Sequence, residues 1–408
     1  MKLLLLLLWV HLAWIGCVSS STSSNTGVPL PEPHTDSARI VIGAEQLDRY
    51  LPILKDKRVA IVANQTSLVG KTHLVDTLIR SQVQVIKVFA PEHGFRGNAE
   101  AGALIKDGLD SKTGLRIISL YGKNKKPTDE MLRDVDIVIF DIQDVGARFY
   151  TYISTMHYVM EACAEHSIPL VILDRPNPNG HYIDGPIREK ELASFVGMHP
   201  IPIVHGCTVG ELAQMINGEH WLQGSDSCSI TIIRCINYRH DLAYTLDTAP
   251  SPNLSTQEAV LLYPSLCWFE GTCVSVARGT NFPFRAIGFP NATRGEFEFT
   301  PRSIPGVADH PIHENKKCVG LDLRSLSVDS IHQLHEIQLD WLISMYQACP
   351  EGTTFFTQAD FFDKLAGTSA LRSQIAQGVS AADIRKSWKS GLEDYRTLRS
   401  KYLLYPDK

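Results

Sequence analysis

Five short apolar runs, interleaved with helix-like stretches, constrain the fold of this chain more than any other feature. They are Arg58-Val-Ala-Ile-Val-Ala63, Val83 to Phe89, Arg116 to Leu120, Asp136-Ile-Val-Ile-Phe140 and Pro169-Leu-Val-Ile-Leu173. A strand with one wet face alternates apolar and polar residues, so runs without alternation belong to strands buried on both faces. Helical patterns through Leu74-Val75 and Leu78-Ile79, and from about residue 150 to 163, separate the runs. The expected fold is therefore α/β, a doubly wound parallel sheet covered by helices on each side.

After residue 185 this rhythm loosens. Thr208-Val-Gly-Glu211 and Ser255-Thr-Gln-Glu258 read as capping boxes, the first opening a helix over 209–217. The stretch 264–325 is rich in Gly, Pro and short strand-like pieces, and helices are predicted over 329–349 and 380–403. At 408 residues the chain exceeds what one core usually holds. A boundary near residue 255 is expected, giving an α/β domain over 38–255 and a smaller mixed α+β domain over 256–408.

The first 24 residues have another purpose. Lys2, the apolar run Leu3 to Ile15 and the small residues after it have the order of an export signal. The run is too short to span a bilayer, which takes about 20 residues. Ile15-Gly16-Cys17 resembles a lipobox with Trp14 in place of the usual Leu. The protein is thus expected to be exported, either as a periplasmic or outer-membrane lipoprotein or in secreted form. Membrane contact is expected only through that N-terminal lipid. Residues 25–37 read as a tether. The eight cysteines after Cys17 contain no C-x-x-C pair and are expected to be mostly buried small hydrophobes. A net charge of −5 argues against a nucleic-acid partner.

Polar residues gather where the apolar runs end. Open α/β sheets bind ligands beyond the carboxyl ends of their strands. The first run leads into Asn64-Gln65-Thr66, and the second into Pro91-Glu92-His93-Gly94-Phe95-Arg96-Gly97. The fourth leads into Asp141 to Tyr152 and the fifth into Asp174-Arg175-Pro176-Asn177. These loops can frame a cleft for a hydroxyl-rich ligand. Nucleotide motifs fail: Gly70-Lys71-Thr72 lacks the first P-loop glycine, since position 65 is Gln65, and no G-x-G-x-x-G follows a strand. There is no G-x-S-x-G elbow and no H-E-x-x-H helix.

Glu92 stands out, held in a loop marked by Pro91, Gly94 and Gly97 and flanked by His93 and Arg96. Glycoside hydrolysis needs a carboxyl group that protonates a leaving oxygen, often with a second carboxylate. Asp141, Asp144 and Asp174 are candidates for that second group, although Asp at such junctions also serves as a cap. Arg148, Arg175 and Arg278 are candidate anion readers, and each also suits an ordinary pair with a neighbouring Asp. Phe149, Tyr150 and Tyr152 fit either sugar stacking or the core. His205 follows another short strand and is as well explained by a structural hydrogen bond as by ligation.

Taken together, Pro91-Glu-His-Gly-Phe-Arg-Gly97, Asp141-Ile-Gln-Asp-Val-Gly-Ala-Arg-Phe-Tyr-Thr-Tyr152 and Asp174-Arg-Pro-Asn-Pro178 resemble one family. Phe195 to Pro202, His205 to Leu212, Phe269-Glu-Gly-Thr272 and Arg278-Gly-Thr280 extend the likeness in order from about residue 40 onward. It is the bacterial exo-acting β-N-acetylmuramidases. The resemblance implies a Rossmann-like catalytic domain, a smaller C-terminal domain and a cleft between them. It implies removal of N-acetylmuramic acid from the non-reducing end of peptidoglycan fragments, with Glu92 as the catalytic glutamate and no cofactor. Asp141 or Asp144 is expected as partner of Glu92, unless the substrate's 2-acetamido group serves as nucleophile. Asn64, Gln65, His93, Arg96, Arg148, Tyr150, Tyr152, Asp174, Arg175, Asn177, His205, Glu270 and Arg278 are expected to contact substrate. An Arg in the cleft would meet the lactyl carboxylate that distinguishes this sugar from N-acetylglucosamine. Two rival readings are a non-catalytic muropeptide-binding protein and a metal-dependent amidase or deacetylase built on His93, His205 and an Asp.

Overall fold

In a computed structural model of the chain, residues 39–96, 107–224 and 227–408 are described. The expected export signal and tether lie outside them, as does Gly97. The first half contributes β1 (Arg58–Ala63), a small hairpin of β2 (Leu68–Val69) and β3 (Thr72–His73), β4 (Gln84–Ala90), β5 (Gly108–Leu109) and β6 (Arg116–Ser119). It continues with β7 (Ile137–Asp141), β8 (Leu170–Leu173) and β9 (Ile230–Ile233). All five predicted runs are strands, within a few residues of their expected ends.

The main sheet has the order β5-β6-β4-β1-β7-β8-β9. From β6 to β9 every neighbouring pair is parallel, and only the edge strand β5 runs antiparallel. Counting the six parallel strands along the chain gives the order 3-2-1-4-5-6, that of the Rossmann fold. The uninterrupted apolar runs have a direct cause. In β1, Ala60 and Val62 enter one core cluster while Val59, Ile61 and Ala63 enter another, so side chains pointing either way are buried. Helices such as Leu74–Arg80 and Tyr152–Glu165 cover the two faces.

The second half builds a smaller antiparallel sheet, β10 (Ala286–Phe289), β11 (Phe297–Phe299) and β12 (Cys318–Asp322), in the order β10-β12-β11. One face of this sheet makes a small cluster of its own from Ala277, Ala286, Phe299 and Cys318, while most apolar side chains of the second half join the main core. Trp268, Phe362 and Trp388 belong to the same cluster as Phe140 and Met156 beneath the main sheet. Residues 40–408 accordingly form one compact unit. The helix Ala381–Ser400 returns to the first half: Tyr395 donates to the His205 carbonyl (2.8 Å) and Arg399 to that of Gly206 (2.6 Å).

Two local expectations are corrected. The helix predicted over 329–349 is two helices, Val328–His332 and Leu339–Gln347. Between them His335 takes a φ of +50°, and the Ile337 N–H donates to Asp184 (2.8 Å), a tie to the first half that helical geometry would break. Near residue 255 the cap is Thr256, which accepts from the Ala259 N–H, rather than Ser255. The Thr208 capping box and the Ser380 cap form as expected. The eight described cysteines are unpaired thiols, and all but Cys349 are buried.

Candidate active site

The loop after β4 makes its turn at once. The Gly94 N–H donates to the Pro91 carbonyl (3.0 Å), and His93 and Gly94 both adopt left-handed backbone, φ +69° and +78°. A histidine in that region carries a steric cost that a glycine does not, and such strain tends to concentrate at functional loops. The result points Glu92 into a cavity of about 410 Å3. That size is in the range of small-ligand pockets. The cavity draws on both halves of the chain: Glu92, Tyr121 and Phe149 to Thr151 on one side, and Tyr263, Glu270, Arg278 and Phe284 on the other.

Glu92 is held by hydroxyl groups. Thr151 Oγ1 donates to its Oε2 (2.8 Å), and Tyr121 hydrogen-bonds its side chain. Burial and the nearby Glu92 carboxylate push the Tyr121 phenol well above its ordinary value. The floor is braced by the Pro250 carbonyl, which accepts from Tyr150 (2.9 Å), Tyr152 (3.1 Å) and Gln65 Nε2 (2.9 Å). Glu270, on the short 3-10 helix Cys267–Gly271, is paired with Arg278, whose Nε donates to its Oε1 at 2.6 Å. The Arg278 guanidinium also sits over the Phe284 ring, 5.1 Å from its centroid.

Glu92, His93, Tyr150, Glu270 and Arg278 line the cavity together, whereas the other expected residues do not. Asp141 is fully buried and holds Arg175 through two bonds, Nε to Oδ1 (2.6 Å) and Nη2 to Oδ2 (2.9 Å). Asp144 is buried, with Oδ1 accepting the Gly146 N–H (2.7 Å), and burial pushes its carboxyl up to about 7. Asp174 accepts from Thr208, Gly210 and Tyr405 inside the fold, and burial raises it to about 6 against those hydrogen bonds.

Arg148 spends its guanidinium on the backbone, donating to the carbonyls of Pro186, Ile201, Leu365 and Ala366 at 2.7–2.9 Å. It is a bracket between the halves rather than an anion reader. Asn177 donates to the Cys207 carbonyl (2.9 Å). Asn64 accepts from Thr66 N–H and Oγ1 in the turn after β1, with Nδ2 unpartnered. His205 is buried, its Nδ1 accepting the Cys207 N–H, and burial lowers its pKa to about 3, which keeps it neutral. Tyr152 is buried beneath Glu92.

Arg96 faces a second hollow of about 360 Å3 with Lys71, Arg80 and Lys112, and its guanidinium is held by Asp110 through bonds of 3.0 and 2.8 Å. Among the described residues no group of three or more His, Cys, Asp or Glu is arranged to hold a metal ion. Tyr121, Thr151, Tyr263 and Phe284 were not singled out by sequence reasoning. Thr151 lies within the polar run after β7 and Tyr121 directly follows the third apolar run, so strand-end position was the signal available for both.

Three comparisons bear on this architecture. Models of the family described as exo-beta-N-acetylmuramidase NamZ match residues 59–258 with their N-terminal part and 261–405 with their C-terminal part. The peptidoglycan beta-N-acetylmuramidase NamZ of Bacillus subtilis (strain 168) is 40% identical over 380 residues, covering 88% of this chain and 89% of that protein. Crystal structures of two DUF1343 family proteins from Bacteroides fragilis NCTC 9343 share the fold. One has a TM-score of 0.84 and 49% identity, covering 91% of this chain and 100% of its own. The other has a TM-score of 0.78 and 28% identity, covering 90% and 99%. On the matches to both parts of its length, this chain belongs to the exo-β-N-acetylmuramidase NamZ family of glycoside hydrolases.

Proposed function

We propose that the protein is an exo-β-N-acetylmuramidase that hydrolyses the β-1,4 bond of a non-reducing terminal N-acetylmuramic acid in peptidoglycan fragments, with Glu92 as general acid. The observation that carries this reading is the position of Glu92, a carboxyl group in an aromatic-walled cavity with one oxygen held by Thr151. Glu92 protonates the glycosidic oxygen as the C1–O bond breaks, and a water supplies the hydroxyl at C1 while its remaining proton restores the Glu92 carboxyl group. Asp141 and Asp144 are engaged in the interior. The partners left to Glu92 are Glu270 in the cavity wall and the 2-acetamido group of the substrate itself.

Matched chromogenic β-glycosides of N-acetylmuramic acid and N-acetylglucosamine, incubated with the protein in the presence of chelator, test this. Release from the first and not the second is expected. Tight binding of muropeptide without release would instead favour a capture protein, and activity abolished by chelator a metal enzyme.

We infer in addition that the protein is exported, on the strength of residues 1–24, with a lipid on Cys17 as the anchored form. Cell fractionation that recovers it in the cytosol would contradict this.

A further inference from the structure

Opposite charges stand side by side in the cavity wall. Arg278 directs both Nε and Nη2 at one oxygen of Glu270, Oε1. The second oxygen, Oε2, receives only the Cys267 thiol at 3.9 Å. The Arg278 side chain lines the cavity and is about a fifth exposed, 22%, and its guanidinium makes no further hydrogen bond to a described residue. An acceptor and a fork of donors are therefore presented next to each other, in fixed relation, among Phe149, Tyr263 and Phe284.

N-Acetylmuramic acid carries the complementary pair on adjacent ring carbons. C2 bears the acetamido N–H, a donor, and C3 bears the lactyl ether, which ends in a carboxylate. We propose that the Glu270–Arg278 pair reads these two substituents as a unit, Glu270 accepting the acetamido N–H and Arg278 donating to the lactyl carboxylate. This rests on the muramidase reading and deepens it, because it names the residues that select the sugar. A guanidinium has five N–H donors and serves two carboxylates at once without leaving either bare.

The pairing also explains how a cationic reader is kept in an aromatic wall. Glu270 offsets the cost of a desolvated Arg278 before substrate arrives. N-Acetylglucosamine offers only a C3 hydroxyl, so the free edge of Arg278 would be desolvated without an anion, and a site built around a polar contact rejects ligands lacking it. Arg148 and Arg175 are not placed for this role, since neither lines the cavity and their guanidinium groups are held in the interior by backbone carbonyls and by Asp141.

The test pairs each protein group with deletion of its own partner on the ligand. Binding of N-acetylmuramic acid, its lactyl methyl ester and its 2-deoxy analogue is measured by calorimetry on the parent protein, Arg278→Met, Arg278→Lys and Glu270→Leu. The parent is expected to prefer the free acid over the ester by about 100-fold, and Arg278→Met to bind both alike. Arg278→Lys, which keeps the charge without the fork, is expected to keep part of the preference, and it stands in if the Met variant fails to fold. Glu270→Leu is expected to weaken N-acetylmuramic acid more than its 2-deoxy analogue, because both lose the same support of Arg278 and only the first loses the acetamido contact. An acid-to-ester preference that survives in Arg278→Met overturns the inference alone. A parent protein that neither binds these sugars nor cleaves the chromogenic muramide overturns the muramidase reading as well.

Discussion

Two strand ends, those of β4 and β7, carry similarly polar sequences and meet opposite fates. Glu92 and His93 open into the cavity, whereas Asp141 to Arg148 is sealed. The difference lies in what the rest of the chain lays over them. The β1 and β7 ends flank the switch in strand order, where Rossmann folds commonly bind a ligand. Here that crevice is filled by the protein's own groups. Asn64, Thr66, Gln143 and the Asp141–Arg175 pair hydrogen-bond across it, and the C-terminal Tyr405 reaches Asp174. The β4 end lies away from that plug and faces the second half of the chain instead. A carboxylate at a strand end thus lines a cavity in one place and braces the interior in the other.

Substitutions separate the two kinds. Asp141→Asn leaves the Arg175 charge buried and half-paired, and breaking one partner of a buried ion pair costs about 3–5 kcal/mol. Urea denaturation is expected to show that loss, while the fraction still folded keeps its parental turnover. An Asp141→Asn protein of parental stability that has lost turnover would place Asp141 in the chemistry and erase the contrast.

Asp144 gives a smaller effect, visible through pH. Its folded carboxyl titrates at about 7, against about 4 in an unfolded chain, so the unfolded state releases the proton first. Its contribution to stability is complete below about pH 4 and declines as the pH rises to about 7, by on the order of 4 kcal/mol at most. Asp174 adds a decline of the same sign over a narrower window, ending near 6. Asp144→Asn is expected to flatten the profile between pH 4 and 7 in thermal or urea unfolding. An unchanged slope would mean that the Asp144 carboxyl is not held neutral by the fold.

These contrasts also mark how far the sequence could be read. The sheet was legible because strands buried on both faces leave unbroken apolar runs such as Ile137-Val-Ile-Phe140. The Glu92 loop was legible because Pro91 and Gly94 announce a tight turn beside a lone carboxylate. What sets Arg278 apart from Arg148 was not, since nothing local distinguishes the two. Arg148 is satisfied by carbonyls 217 and 218 residues away, and Asp174 by a tyrosine 231 residues away. Contacts that distant leave no trace in a local pattern, so clusters that look like binding sites were in part the joints of the fold. The break at 333–338 was missed for a related reason: Asp184, 153 residues before Ile337, draws that segment out of helical geometry.

The central claim, that Glu92 is the proton donor of a glycosidase in which Asp141, Asp144 and Asp174 are structural, is tested most directly by Glu92→Gln. Turnover of the chromogenic β-muramide and the thermal midpoint are measured on the same preparation. General acid catalysis contributes about 10²–10⁴ in rate, so a loss of that size with an unchanged midpoint is expected. Parental turnover by a folded Glu92→Gln protein would contradict the account.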